Sequence, residues 1–341
     1  MVRINKLIYL LAIGLTVVSA TLIGCKQDKV VENNNINNNI SLNLGTINEN
    51  KNGNYSNFDL KKDTYKKIDS DIIIAQYDYE SNNYIGLKNN QYIGVYNGKE
   101  VKLKTLKSND LKYMISPGGE YLGYFSNNND IKKFRVINLK DGTEKKTNIK
   151  VAISGLLLDW INSKEVVYYG IDTDKGKNGV YIYNIESEKE ELLEEFESGF
   201  VRFLKCSEDG VIYLQETLEN SKLLKEYDVK TKKSNIICSD DILISDIIKT
   251  NDNYYLLGNV DSEHGSVYKL KDLNTSKLVY DFPSKVYSNK GLSTDEEGNV
   301  LFIGSNSDNS QSIYKIDSND YVSILSEGFQ DCNFVNMYIN E

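Results

Sequence analysis

The chain has 341 residues, with 40 Lys and Arg against 49 Asp and Glu, a single histidine and a net charge of −9. That balance argues against nucleic acid or anionic lipid surfaces as the main partner, because both reward a basic protein. One histidine and four cysteines without a C-x-x-C or H-x-x-x-H pair supply no zinc site, and no phosphate-cradling glycine loop occurs, so neither metal nor cofactor is expected.

The first element is hydrophobic. Met1 to Lys6 carries Arg3 and Lys6, and Leu7 to Ile23 is free of charge. A charged start, a short apolar core and small residues at its end describe a secretory signal peptide over residues 1–24. The run is short of the about 20 apolar residues that a membrane-spanning helix needs. Leu22-Ile23-Gly24-Cys25 resembles the lipobox of bacterial lipoproteins. The resemblance implies cleavage between Gly24 and Cys25, lipid on Cys25, and a protein held on the extracytoplasmic face of the cell membrane. Two or more acyl chains hold nearly permanently, where one binds only reversibly.

Residues 25–58 are rich in asparagine, with few large apolar groups and no period able to bury a face, and they are expected to form a disordered linker. A tether of about 35 residues would average roughly 30–35 Å end to end.

Residues 59–341 carry a repeat. Strand-like segments end at Asn97, Asn138, Asn184, Asp228, Lys271 and Asp317, recurring every 41 to 46 residues. Each is preceded by an apolar run, such as Y-L-G-Y-F from Tyr121, V-V-Y-Y-G from Val166 and V-L-F-I-G from Val300. Valine, isoleucine and tyrosine in short runs bounded by Gly, Asn, Asp and Ser are strand chemistry. Four strands at this spacing predict an all-β fold, a β-propeller of four-stranded antiparallel blades. Inner strands are expected to begin near Ile72, Leu111, Ile153, Val201, Leu243 and Val286. Six blades are favoured over seven, with the C-terminal strand from Phe334 closing the ring against the N-terminal sheet. The segment S-P-G-G-E-Y-L-G-Y-F-S from Ser116, followed by F-R-V-I-N-L-K-D-G-T-E, resembles the TolB-like, WD40-like propellers. That resemblance implies a protein-binding platform in the cell envelope.

Candidate chemistry is sparse. His264 lies in a turn, and no G-x-S-x-G elbow presents a serine to it, so no catalytic residue is assigned. Asp172 to Gly179 imitates the start of a calcium loop without its glycine and glutamate, and reads as a polar hairpin turn. Glu186 to Glu197 is expected to be an outer strand with a solvated acidic face. Trp160 should pack at the end of an inner strand. Cys206, Cys238 and Cys332 read as unpaired, buried, small apolar residues, the first two too far apart across one sheet for a disulfide. Arg202, on a predicted inner strand, is the candidate ligand-binding residue, because its guanidinium is a rigid fork of donors. The competing role is a structural pair with an acid of a neighbouring blade.

The expected function is a monomeric, membrane-anchored lipoprotein, not an enzyme, whose propeller binds an envelope protein or glycan. The alternative is a propeller enzyme that cleaves extracellular polysaccharide with paired carboxylates.

Overall fold

Tyrosine-rich and β-branched runs bounded by turn residues fold as the pattern predicts, into seven antiparallel sheets, six of four strands and one of five because its inner strand is split. The computed structural model describes residues 40–336, apart from 129–130, 208–209, 261–264, 280–281 and 308–309. Each sheet is one blade. The inner strands of blades 2 to 6 are Ile72–Tyr77, Leu111–Ile115, Ala152–Trp160, Phe200–Cys206 and Ile242–Thr250. That of blade 7 is split into Lys285–Val286 and Leu292–Thr294 by a 3-10 turn at Ser288–Lys290. The expected hairpin at Asp172 and the acidic outer strand Glu190–Phe196 are both present.

The seventh blade corrects the count of six, and it lies where the linker was expected. Ile47–Lys51, Asn54–Lys61 and Thr64–Lys67 pair in one sheet, whose inner strand is Cys332–Phe334 near the C-terminus. The folded chain therefore reaches well upstream of residue 59. Its asparagines hid it, because two of them are core residues. Asn48 and Asn57 are buried, and their amides donate to the carbonyls of Ile74 and Ile72 at 2.6 Å, while Asn57 Oδ1 accepts from the Ile74 N–H at 3.0 Å. Buried polar groups are tolerated when paired, as Asn57 is through both atoms of its amide; Asn48 is paired through its nitrogen alone. Ile47, Leu60, Cys332 and Phe334 then pack on Leu301, Ile303 and Phe329 of blade 7.

Consecutive residues of a middle strand serve two different cores. In blade 4, Val166 and Tyr168 pack toward blade 3, whereas Val167 and Tyr169 pack toward blade 5. Alternate side chains leave opposite faces of a strand, and both faces of a blade are covered, so the run is apolar throughout. Trp160 sits in the first of these cores as expected, stacked on Tyr121 at 6.4 Å and donating from Nε1 to Met114 O at 3.1 Å. The Ser116 turn also matches its sequence. Gly118 and Gly119 have φ of 80° and 64°, and the Gly119 N–H donates to Ser116 O at 2.8 Å.

The inner strands share two departures from regular pairing. Those of blades 2 to 6 each slip register, at Ala75, Lys112–Tyr113, Ser154–Leu157, Arg202 and Ser245. Those of blades 3 to 7 are also tied to one another by buried and half-buried polar side chains. Lys112 Nζ donates to the Leu156 and Leu158 carbonyls of blade 4, and Asp159 Oδ2 accepts from Cys206 N of blade 5 at 2.9 Å. Lys205 Nζ reaches Asp246 Oδ1 of blade 6 at 2.6 Å, and Asp246 Oδ2 accepts from Leu292 N of blade 7 at 2.8 Å. Lys290 Nζ then joins Asp331 and Asn333 beside blade 1. This belt holds the inner strands in place where their own ladders break.

Candidate binding face

Antiparallel pairing gives the propeller two unlike ends. The upper end collects the starts of the inner strands and the turns between second and third strands. The lower end collects the turns between first and second and between third and outer strands. Residues 40–46 lie at the lower end, where the Leu42 N–H donates to Tyr77 Oη at 3.1 Å and the Leu44 N–H to Glu296 at 3.2 Å.

Arg202 is near the upper end of the inner strand of blade 5, as the sequence predicts. The register slip between Val201 and Phe203 takes it out of the ladder, and such a bulge re-aims a side chain. Its guanidinium stands 4.6 Å over the Phe200 ring, and Nε donates to Glu216 Oε2 at 2.7 Å. The acid belongs to the next strand of the same blade, not to a neighbouring blade. Arg202 holds the Glu216 carboxyl below its usual range. About half of the Arg202 side chain stays exposed, so the pair leaves donors free to face a ligand. Lys222 pairs with Asp241 beside it.

Around this pair the upper end carries large apolar side chains that no sequence motif announced. Phe200, Leu218 and Leu243 come from blades 5 and 6, with Leu218 77 % and Leu243 52 % exposed. Ile171 at the end of a blade 4 strand, Tyr55 on blade 1 and Phe282 before blade 7 lie at the same end. The signal was available in part: Leu218 interrupts the polar turn E-T-L-E-N, where solvent-facing chemistry would be expected.

A cleft of about 810 Å³ opens between blades 3 and 4, lined from Lys132 and Lys133 on the third strand of blade 3 to Glu188 in the turn before the outer strand of blade 4. Phe125, Phe134 and Val151 form its floor, and Lys132, Lys133, Lys146, Lys150, Thr147 and Asn148 its rim.

Asp159 and Lys112, two shifted titratable groups of the inner strands, belong to the belt. Burial pushes the Asp159 carboxyl up, against the opposing pull of Lys112, and pushes Lys112 down. Burial likewise raises the Cys206 thiol, so a reactive thiolate is disfavoured there. Cys206, Cys238 and Cys332 are all free, the last two fully buried and Cys206 only partly so. Among the described residues, no group of three or more His, Cys, Asp or Glu side chains converges on a metal-sized site. Gly24, Cys25 and His264 lie outside the described residues.

No protein-family model and no curated protein matches the sequence. Solved structures are similar to it in fold. A puromycin hydrolase mutant complexed with PGG aligns over 86 % of this chain and 53 % of its own, with a TM-score of 0.59 and 6 % identity. Acylaminoacyl peptidase from Pyrococcus horikoshii aligns over 84 % of this chain and 51 % of its own, with a TM-score of 0.56 and 12 % identity. TolB from Acinetobacter baumannii aligns over 82 % of this chain and 77 % of its own, at a TM-score of 0.46 and 11 % identity. The chain spans about half the length of the two hydrolytic enzymes. At these identities the likeness shows a β-propeller and nothing finer.

Proposed function

We propose that this chain is an envelope lipoprotein, anchored through Cys25, whose propeller binds a protein partner with its upper end. The observation that carries the binding role is that six exposed large apolar residues, Tyr55, Ile171, Phe200, Leu218, Leu243 and Phe282, share the upper end, against Leu273 and Tyr321 in turns at the lower end. Single exposed apolar groups are ordinary, but several on one face mark an interaction surface. Aromatic anchors beside an arginine suit the centre of a protein interface. The anchor rests on Leu22 to Cys25.

The alternative enzyme would need paired carboxylates, and the two acids beside Arg202 are Glu216 and Asp241. Each carries a cation, and Glu216 is held below its ordinary range, opposite to what a general acid needs.

The test is photo-crosslinking on intact envelopes from a benzophenone side chain at Leu218 or Leu243. One dominant protein adduct at both positions supports the reading. Adducts to glycan alone, or none, refute the protein partner. Separately, Cys25→Ser should release the protein or leave its signal uncut; unchanged mass and membrane association would remove the anchor from the proposal.

A further inference from the structure

We propose that the cleft between blades 3 and 4 binds an anionic oligosaccharide, one whose carboxylates or phosphates meet lysines while its hydroxyls meet Asn148 and Thr147. The site is separate from the apolar surface and does not depend on the anchor.

Charge is the first argument. The chain is acidic as a whole, at −9, yet four exposed lysines, Lys132, Lys133, Lys146 and Lys150, surround one opening. None of the four forms an ion pair with a described residue. Some lysines elsewhere are neutralised, as Lys177 is by Glu195 at 2.6 Å, and others, such as Lys66 and Lys67, stand exposed on open strand surface; these four are set apart by lining one opening. Among the described residues a single carboxylate lines the cleft, that of Glu188, and it already accepts from Asn148 Nδ2. Gathering like charges costs free energy unless an anion answers them, and a walled cleft focuses their field.

The second argument is that the opening is preformed. Its floor is the Phe125–Phe134 pair, with ring centroids 5.6 Å apart, together with buried Val151. The strand-to-strand connection that carries Lys146 and Lys150 is pinned in three places. The Asn148 N–H donates to Tyr183 Oη at 3.0 Å, and the Lys150 and Val151 N–H groups donate to Glu190 Oε1 at 3.2 and 3.4 Å. A floor of low polarizability strengthens the attraction above it.

The third argument selects the ligand. Lysine ammoniums are point charges suited to carboxylate or phosphate without demanding one geometry. Asn148 Oδ1 and the Thr147 hydroxyl add groups that sugar hydroxyls can pair with. The volume lies within the range that holds a short oligosaccharide or a drug-sized ligand. A neutral sugar would leave the lysines unanswered.

The test is calorimetric titration of the full-length protein in neutral detergent at low and high salt. The probes are trigalacturonate, a short poly(glycerol phosphate), maltotriose and a tetraglutamate peptide. Trigalacturonate should bind; binding of the glycerol phosphate polymer alone would keep an anion site but overturn the sugar. Binding should weaken at least about tenfold between 50 mM and 500 mM salt, since exposed charges are screened over about 10 Å or less. Lys146→Gln with Lys150→Gln should weaken it by about tenfold or more at unchanged melting temperature, whereas Lys66→Gln with Lys67→Gln on blade 1 should not. Should the cleft pair lower the melting temperature, Lys132→Gln with Lys133→Gln on the strand wall is the second variant. No binding of either anion, or equal binding by both cleft variants, overturns the site. Equal binding of maltotriose, or of tetraglutamate, overturns the assignment to an anionic sugar.

Discussion

The two ends of this propeller are built from the same strands but have different chemistry. At the lower end, turn after turn is closed by an Asn or Asp at the end of a third strand. Asn138 accepts from the Lys140 N–H, Asn184 from Glu186 and Ser187, Asp228 from Lys230 and Thr231, and Asp317 from Asn319 and Tyr321, all between 2.8 and 3.0 Å. These self-closing Asx turns satisfy their own backbone and need nothing from outside. They are also the residues on which the repeat aligns. The upper end has no such common device: Leu218 stands where one turn would be polar, and a bulge releases Arg202. A repeated end answers to folding. The end that varies from blade to blade is where function is expected, since binding residues concentrate on loops held by a rigid scaffold.

Both ends depend on the frame between them, and breaking it should abolish the contrast. Tyr168→Ala removes a ring buried between blades 3 and 4 and should cost about 3–5 kcal/mol in urea unfolding. A loss below 1 kcal/mol would mean that this core does not couple the blades. Asp246→Ala leaves Lys205 and the Leu292 N–H without their partner and should cost about 3 kcal/mol, less if water reaches Lys205, which is a third exposed. Asn184→Ala touches the lower end alone. It should cost about 1 kcal/mol, by analogy with lost caps, and leave partner capture intact. Leu218→Ser with Leu243→Ser is the reverse case, with stability within about 0.5 kcal/mol of the wild type and the crosslinked adduct lost. If that variant unfolds, the upper end is structural after all.

The smallest effect concerns pH. Arg202 lowers the Glu216 pKa below its ordinary 4.5, so the pair stabilises the folded state above that ordinary value. The contribution fades as pH falls through the lower, folded value. Wild type and Arg202→Gln should therefore differ in melting temperature at pH 7 and converge toward pH 3. A difference that persists at pH 3 would assign it to the stacking on Phe200 instead.

Much of the frame was legible. Every inner strand of blades 2 to 7 starts within one residue of its expected position, because β-branched and aromatic runs between turn residues have few other ways to fold. Blade 1 was not legible, since composition cannot tell a solvated asparagine from Asn57, whose amide closes two backbone bonds inside the protein. Arg202 was placed on the right strand, but not its partner: a bulge decides which acid a side chain meets, and bulges leave no mark in a period of two. The face itself was illegible for a geometric reason. Leu218, Leu243, Tyr55 and Phe282 are scattered over much of the chain and share an end only once seven sheets are arranged.

Blade 1 also sets the order in which the protein can fold. Six blades are made of neighbouring segments, and each can assemble as soon as its own four strands exist. The pairing of Ile47 with Phe334, by contrast, must close a loop of nearly the entire described chain. Contacts of such sequence separation carry the largest loop-closure entropy and form late. Until then Ile47 and Leu60 lack the Cys332 and Phe334 side chains that cover them, and the first sheet has an open edge. A nascent or partly unfolded chain is thus most vulnerable to mispairing at its first blade, however quickly the other six are complete.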